Sequence, residues 1–108
     1  MQYEQSILIP KNTPIETPVL ADLQVHSGNL THVEVYFPPR CAGLAHLRIF
    51  YWERQIYPSN PDSYFTADGY PIAWSEDLDL VDPPFRFSLR GWNDDDTFPH
   101  TPIVRMTS

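Results

Sequence analysis

The sequence predicts an all-β chain: an antiparallel β-sandwich of seven or eight short strands joined by proline-rich loops, with a jelly roll as one form of that class. Three observations lead there. Apolar residues recur with a period of two in several separate stretches, the rhythm of strands with one face toward a core. Twelve prolines stand against four glycines in 108 residues, a density that interrupts any helix longer than a few turns. Aromatics make up 14% of the chain, and with Val and Ile they suit a pleated, half-buried surface. Parallel pairing would need crossover helices that such a chain does not supply, so the sheets are expected to be antiparallel.

Residues Tyr3 to Ile9 form a plausible first strand, with Tyr3, Gln5, Ile7 and Ile9 on one side. In the following stretch Pro10, Pro14 and Pro18 hold the backbone extended and deny it ladder donors. Residues 1–18 therefore read as an extended N-terminal strand and arm, lying on its own domain or reaching a neighbouring subunit, and residues 19–108 as a single sandwich domain. Val19, Ala21, Leu23 and Val25 alternate with polar residues, Ser27-Gly28-Asn29 supplies a tight turn, and Thr31, Val33, Val35 and Phe37 form a second inward face. The pattern predicts a hairpin whose outer face carries His26, His32 and Glu34. Metal binding needs at least three converging ligands, so this set reads as a solvent face.

The stretch from Leu44 to Tyr57 is the longest without glycine or proline. Ala45, Leu47, Ile49 and Tyr51 alternate there with His46, Arg48, Phe50 and Trp52, which predicts a central strand. The loop after it bears Tyr57, Tyr64, Phe65 and Tyr70, punctuated by Pro58, Pro61 and Pro71 and an Asp68-Gly69 turn. These aromatics fit either a lid folded onto the core or a contact surface for a protein or a sugar. Pro71 to Trp74 reads as a short strand, and Glu76, Asp77, Asp79 and Asp82 as an acidic connection closed by Pro83-Pro84. Phe85, Phe87 and Leu89 then mark a strand ending at Gly91-Trp92, where Trp92 switches face, to cover the core from an end or stand exposed. Asn93 to Thr97 gathers hard oxygens but lacks calcium-loop spacing, so it reads as a solvated turn. Thr101 to Thr107 is the last strand, with Pro102 marking it as an edge or an irregular start.

The bulk numbers narrow the function classes. At 108 residues the chain is one domain, able to bury about two thirds of the surface its unfolded state exposes. Its net charge of -7, with seven Lys and Arg scattered along the chain, disfavours direct nucleic-acid binding. Cys41 is the single cysteine, so no intrachain disulfide exists. Arg40 is adjacent and His46 follows, but no further triad member accompanies them, so Cys41 reads as a small buried thiol. No basic segment followed by an apolar run opens the chain, and no stretch approaches the roughly 20 apolar residues of a membrane span. The expectation is a soluble protein without a Sec-type leader, of otherwise unknown localisation. GxSxG, HExxH, paired CxxC and phosphate-cradling glycine loops are all missing from the sequence. The chain is accordingly expected to be no enzyme, to use no cofactor and to hold no metal.

A compact β domain, a proline-stiffened arm and aromatic proline-rich loops point to a structural or interaction module that works by surface complementarity, as a homo-oligomer or within a larger assembly. In this general character the chain resembles the small all-β accessory virion proteins of tailed phages, those that decorate or cement a capsid. The resemblance implies a capsid-like assembly and a place on the outside of the shell, and it carries no individual residue over. The alternative is a carbohydrate- or small-ligand-binding sandwich. Its binding residues would come from Tyr57, Tyr64, Phe65, Tyr70, Trp74 and Trp92, with Trp52 as a further stacking platform.

Overall fold

The computed structural model describes residues 1–51, 53–60, 62–81 and 83–108. Trp52, Pro61 and Asp82 lie outside the described residues, and with them the expected roles of Trp52 in stacking, Pro61 in the loop and Asp82 in the acidic connection. Among the described residues eight strands follow one another: β1 (Gln2–Ser6), β2 (Val19–Gln24), β3 (Gly28–Phe37), β4 (Ala45–Tyr51), β5 (Arg54–Tyr57), β6 (Tyr70–Leu80), β7 (Arg86–Asn93) and β8 (Ile103–Thr107).

Every pairing is antiparallel, as expected of a chain without crossover helices. Four pairs are nested, β1 with β8, β2 with β7, β3 with β6 and β4 with β5. They describe one long hairpin with four strands in each limb. The further pairings β8 with β3 and β7 with β4 roll it into two four-stranded sheets, in the orders β1-β8-β3-β6 and β2-β7-β4-β5. This is the topology of a jelly roll.

The period-two pattern decides what fills the space between the sheets. Val33, Val35, Phe37, Val104 and Met106 from one sheet meet Leu23, Leu47, Ile49, Phe87 and Leu89 from the other, all buried. Each such side chain contributes about 1.5–3 kcal/mol relative to exposure. Residues 1–18 share this core. After β1 pairs with β8, Ile7 and Ile9 are fully buried, Ile9 bridges His100, and Thr13 bridges Asn93.

Five local expectations are corrected. The predicted hairpin of Val19 to Phe37 does not form: β2 pairs with β7 and β3 with β6 and β8, so the Ser27-Gly28 region carries the chain between sheets. An apolar face is satisfied equally by a strand beside it or by a sheet opposite it, which is why the pattern could not distinguish the two. Within β3 the register shifts between Leu30 and His32, leaving Leu30 buried and Thr31 exposed, the reverse of strict alternation. The stretch from Leu44 to Tyr57 is not one strand but the β4–β5 hairpin, with Glu53 at a left-handed φ of 63° in its turn. Residues 75–80 are not a connection: β6 runs for 11 residues with Trp74, Glu76, Leu78 and Leu80 inward and its carboxylates otherwise outward. β8 is an interior strand, and Pro102 lies just before it, with its carbonyl accepting the Ile7 N–H.

Candidate functional site

The sandwich ends on one side at β5 and β6, each paired on one edge only. An aromatic cluster closes that side. Phe65 reaches it because its backbone bridges Leu47 of β4 in both directions, at 3.1 and 2.9 Å, beyond the end of β5. Its ring stacks on Trp74 with centroids 5.4 Å apart, and Tyr57 meets Trp74 edge-on at 5.0 Å. Glu76, inward on β6, ties the cluster together: its Oε2 accepts from the Tyr57 hydroxyl at 2.7 Å and from Trp74 Nε1 at 3.3 Å. The Tyr57 hydrogen bond, supported by the Asp77 and Trp74 N–H groups, holds the Glu76 carboxyl below its ordinary value. Burial, and then the facing Glu76 carboxylate, pushes the Tyr57 phenol well above its own. These residues with Pro58 and Ser59 line a cleft of about 390 Å³. A carboxylate beside aromatic faces can hydrogen-bond hydroxyls while a ring stacks on an apolar face.

A second cluster covers the outer face of the β2-β7-β4-β5 sheet. His46 and Trp92 are directly opposite in the β4–β7 ladder and stack at 5.2 Å, with Tyr64 edge-on to both. Trp92 is thus buried under neighbours on the outside of the sheet instead of capping the core from an end. His46 Nε2 pairs with Asp94 Oδ2 at 3.0 Å. One step along the ladder, Arg48 stands directly opposite Arg90. Arg48 Cζ lies 4.9 Å from the Trp92 ring, and its guanidinium donates to the carbonyls of Ser63 and Asp62. Arg90 Cζ lies 3.9 Å from the Phe50 ring, and its Nε is buried with no hydrogen-bond partner among the described residues. Neither guanidinium lies within 4.0 Å of a carboxylate among them. A cleft of about 550 Å³ opens beside Arg90, bordered by Arg86, Ser88, Asp22 and Glu53 over a floor of Phe50.

Of the six aromatics expected to bind, Tyr57, Phe65 and Trp74 converge in the edge cleft and Tyr64 and Trp92 in the outer cluster. Tyr70 stands apart, 55% exposed at the start of β6 opposite Phe37. Sequence reasoning missed Glu76, and it did not see Arg48 and Arg90 as a pair. Both had period-two positions in their strands, but only the register shows what stands opposite.

The Asn93 to Thr97 loop is a solvated turn only in part: Asp94, Asp96 and Thr97 are exposed, whereas Asn93 and Asp95 are buried. The Asp95 carboxylate accepts the Thr97 and Phe98 N–H groups and pairs with His100 Nε2 at 2.8 Å. Asp94 turns to His46 and Asp96 to Thr97, so the three carboxylates diverge. Among the described residues no three His, Cys, Asp or Glu side chains converge on a metal position. With the hairpin absent, His26, His32 and Glu34 do not share its outer face, and Glu34 pairs with Arg105. Cys41 is buried, and burial, then Asp68 and Asp95, pushes its thiol up to about 11, the opposite of nucleophile activation. Comparison with protein-family models, with curated protein sequences and with solved structures finds no match to this chain.

Proposed function

We propose that this chain is a non-enzymatic interaction module of a larger assembly, docking through the outer face of its β2-β7-β4-β5 sheet. One observation carries the reading: in a chain of net charge -7, two guanidiniums face each other across β4 and β7 with no carboxylate partner among the described residues. Like charges directly opposite in a sheet are destabilising. Arginine is also the side chain that binds carboxylates through strong charge-assisted hydrogen bonds. Arg48 gives Nε and Nη2 to the Ser63 and Asp62 carbonyls, so Nη1 remains for a partner, and stacking on Trp92 and Phe50 holds both guanidiniums in place. An acidic partner surface relieves the repulsion and fills the open donors. Tyr64, 47% exposed beside them, supplies an amphipathic aromatic of the kind that carries interface energy. Jelly rolls recur in capsid and lectin domains; by that fold-level analogy a decoration or cement subunit of a virion is one form of such a module.

The test is a titration of isotope-labelled protein with a polyglutamate peptide at about 20 mM salt, where surface charges are weakly screened. Amide shifts confined to β4, β7 and residues 62–64, abolished in Arg90→Gln, are the expected result. Shifts spread over the surface, or none, would remove the reading.

A second reading rests on the edge cleft, where Glu76 accepts from Tyr57 and Trp74, and Phe65 stacks on Trp74. There the ligand is a saccharide stacked against Trp74 or Phe65. Glycan-array binding that disappears in Trp74→Ala supports it, and silence of the folded wild-type protein across the array counts against it.

A further inference from the structure

We infer that the partner seated on Arg48 and Arg90 is a second copy of this chain, presenting the outer face of its β1-β8-β3-β6 sheet through Asp77 and Asp79. The inference rests on the reading of the arginine row as a docking surface and adds its occupant. Asp77 and Asp79 are exposed on β6, and Asn29 Nδ2 donates to Oδ1 of both, at 2.6 and 2.7 Å. One side-chain amide thus holds two like charges together, and neither has an ion-pair partner among the described residues. Elsewhere on that face Arg105 is shared between Glu4 and Glu34, so this row also keeps an unneutralised negative charge.

The molecule therefore carries an acidic pair on one outer face and a basic pair on the other. The sheets are stacked layers, so these faces point in opposite directions. Each copy offers acid to one neighbour and base to the next, a heterologous contact that closes into a ring or grows as a filament instead of stopping at a symmetric dimer. Charge complementarity of this kind fixes register and suppresses wrong partners. Asp22 and Glu53 border the cleft on one side of Arg90 and Asp94 lies beyond His46. They repel a carboxylate approaching beside them and so favour one placed over the Arg48–Arg90 row.

The experiment is sedimentation velocity on the full chain from about 10 μM to about 1 mM, in low salt and in about 0.5 M salt, where the Debye length shrinks to a few ångströms. The weight-average mass should rise at least about twofold with concentration in low salt and return to the monomer in high salt. Arg90→Gln alone and Asp77→Asn with Asp79→Asn alone should each remain monomeric. An equimolar mixture of those two variants should form a complex of two chains and nothing larger, because one retains the acidic face and the other the basic face. The acidic-face variant changes only exposed side chains, so it tests the contact from a side where nothing is buried. Assembly insensitive to salt and to both variants, or a mixture that stays monomeric, overturns the inference. A chain that stays monomeric yet binds polyglutamate at the arginine row rules out the second copy and leaves the docking surface standing. A chain that does neither overturns both.

Discussion

Gly91 and Ile9 offer a direct test of how the N-terminal segment is built into the fold. Gly91 lies in β7 between Val19 of β2 and Leu47 of β4, on the side where Ile9 crosses the sheet. A Cβ placed on Gly91 would stand 2.5 Å from Ile9 Cδ1, 3.1 Å from Ile9 Cγ1 and 3.4 Å from the His46 carbonyl oxygen. Ile9 is fully buried, so its side chain has no open space to swing into. Gly91→Ala relieves a flexible residue in a strand, worth about 0.5–1 kcal/mol. Overpacking of a dense core costs about 1–3 kcal/mol, so the expected net loss is about 1–2 kcal/mol. Ile9→Val removes the atom of closest approach, at a cost of about 0.5–1.5 kcal/mol by itself. In the double variant the new methyl occupies the space vacated by Cδ1, so the total loss should fall short of the sum of the single losses by about 1 kcal/mol. Urea denaturation of the four proteins at constant m-value measures the cycle. Losses that add to within about 0.3–0.5 kcal/mol would show that the two residues do not share this space, and the placement of residues 7–9 against β7 would be wrong.

Tyr57→Phe removes the hydroxyl that donates to Glu76 and should cost about 1.5–3 kcal/mol at neutral pH, the range for a hydrogen bond to a charged group. Because the folded-state value of Glu76 is depressed, its contribution is present above the ordinary glutamate value of about 4.3 and fades as pH falls through the folded value. The gap between wild type and variant should therefore narrow in acid. The raised value of Tyr57 acts in the opposite sense: its contribution is full below about pH 10, where an unfolded tyrosine is still protonated, and is lost as pH rises further. The wild type should lose stability in alkali by an increment that Tyr57→Phe lacks, and urea titrations across pH check both arms. For Cys41, a thiol value of about 11 leaves thiolate at pH 8 scarcer than in a free peptide thiol by about two orders of magnitude. Native-state alkylation slower by at least that factor, and equal to the free thiol in denaturant, is the expected result; native labelling at the free-thiol rate would contradict it.

How much of this was legible in the sequence depended on how local each signal is. Alternation in Val19 to Val25 and in Phe85 to Leu89 identifies β2 and the first half of β7, because which way a strand side chain points is settled within two residues. The turn at Glu53 gave no such signal, since it contains neither glycine nor proline. The acidic residues of β6 hid a long strand because an edge strand can place carboxylates on its solvent side at little cost. The candidate site was half visible in the same way. Tyr57, Phe65 and Trp74 stood out as aromatics, whereas Glu76 was one carboxylate among fourteen acids until the fold turned it inward against Tyr57.

By itself the sequence determined a layered, antiparallel, helix-poor body, because hydrophobic period and proline spacing act over a few residues and leave a chain of this kind no other way to bury its apolar faces. Only the tertiary structure decided which strands lie side by side. Backbone N–H and C=O groups are chemically alike along the chain, so the jelly-roll pairings of β1 with β8 and β2 with β7 are chosen by packing between residues far apart in sequence. The opposition of Arg48 and Arg90, and the joining of Asp77 and Asp79 by Asn29, exist only once that choice has been made.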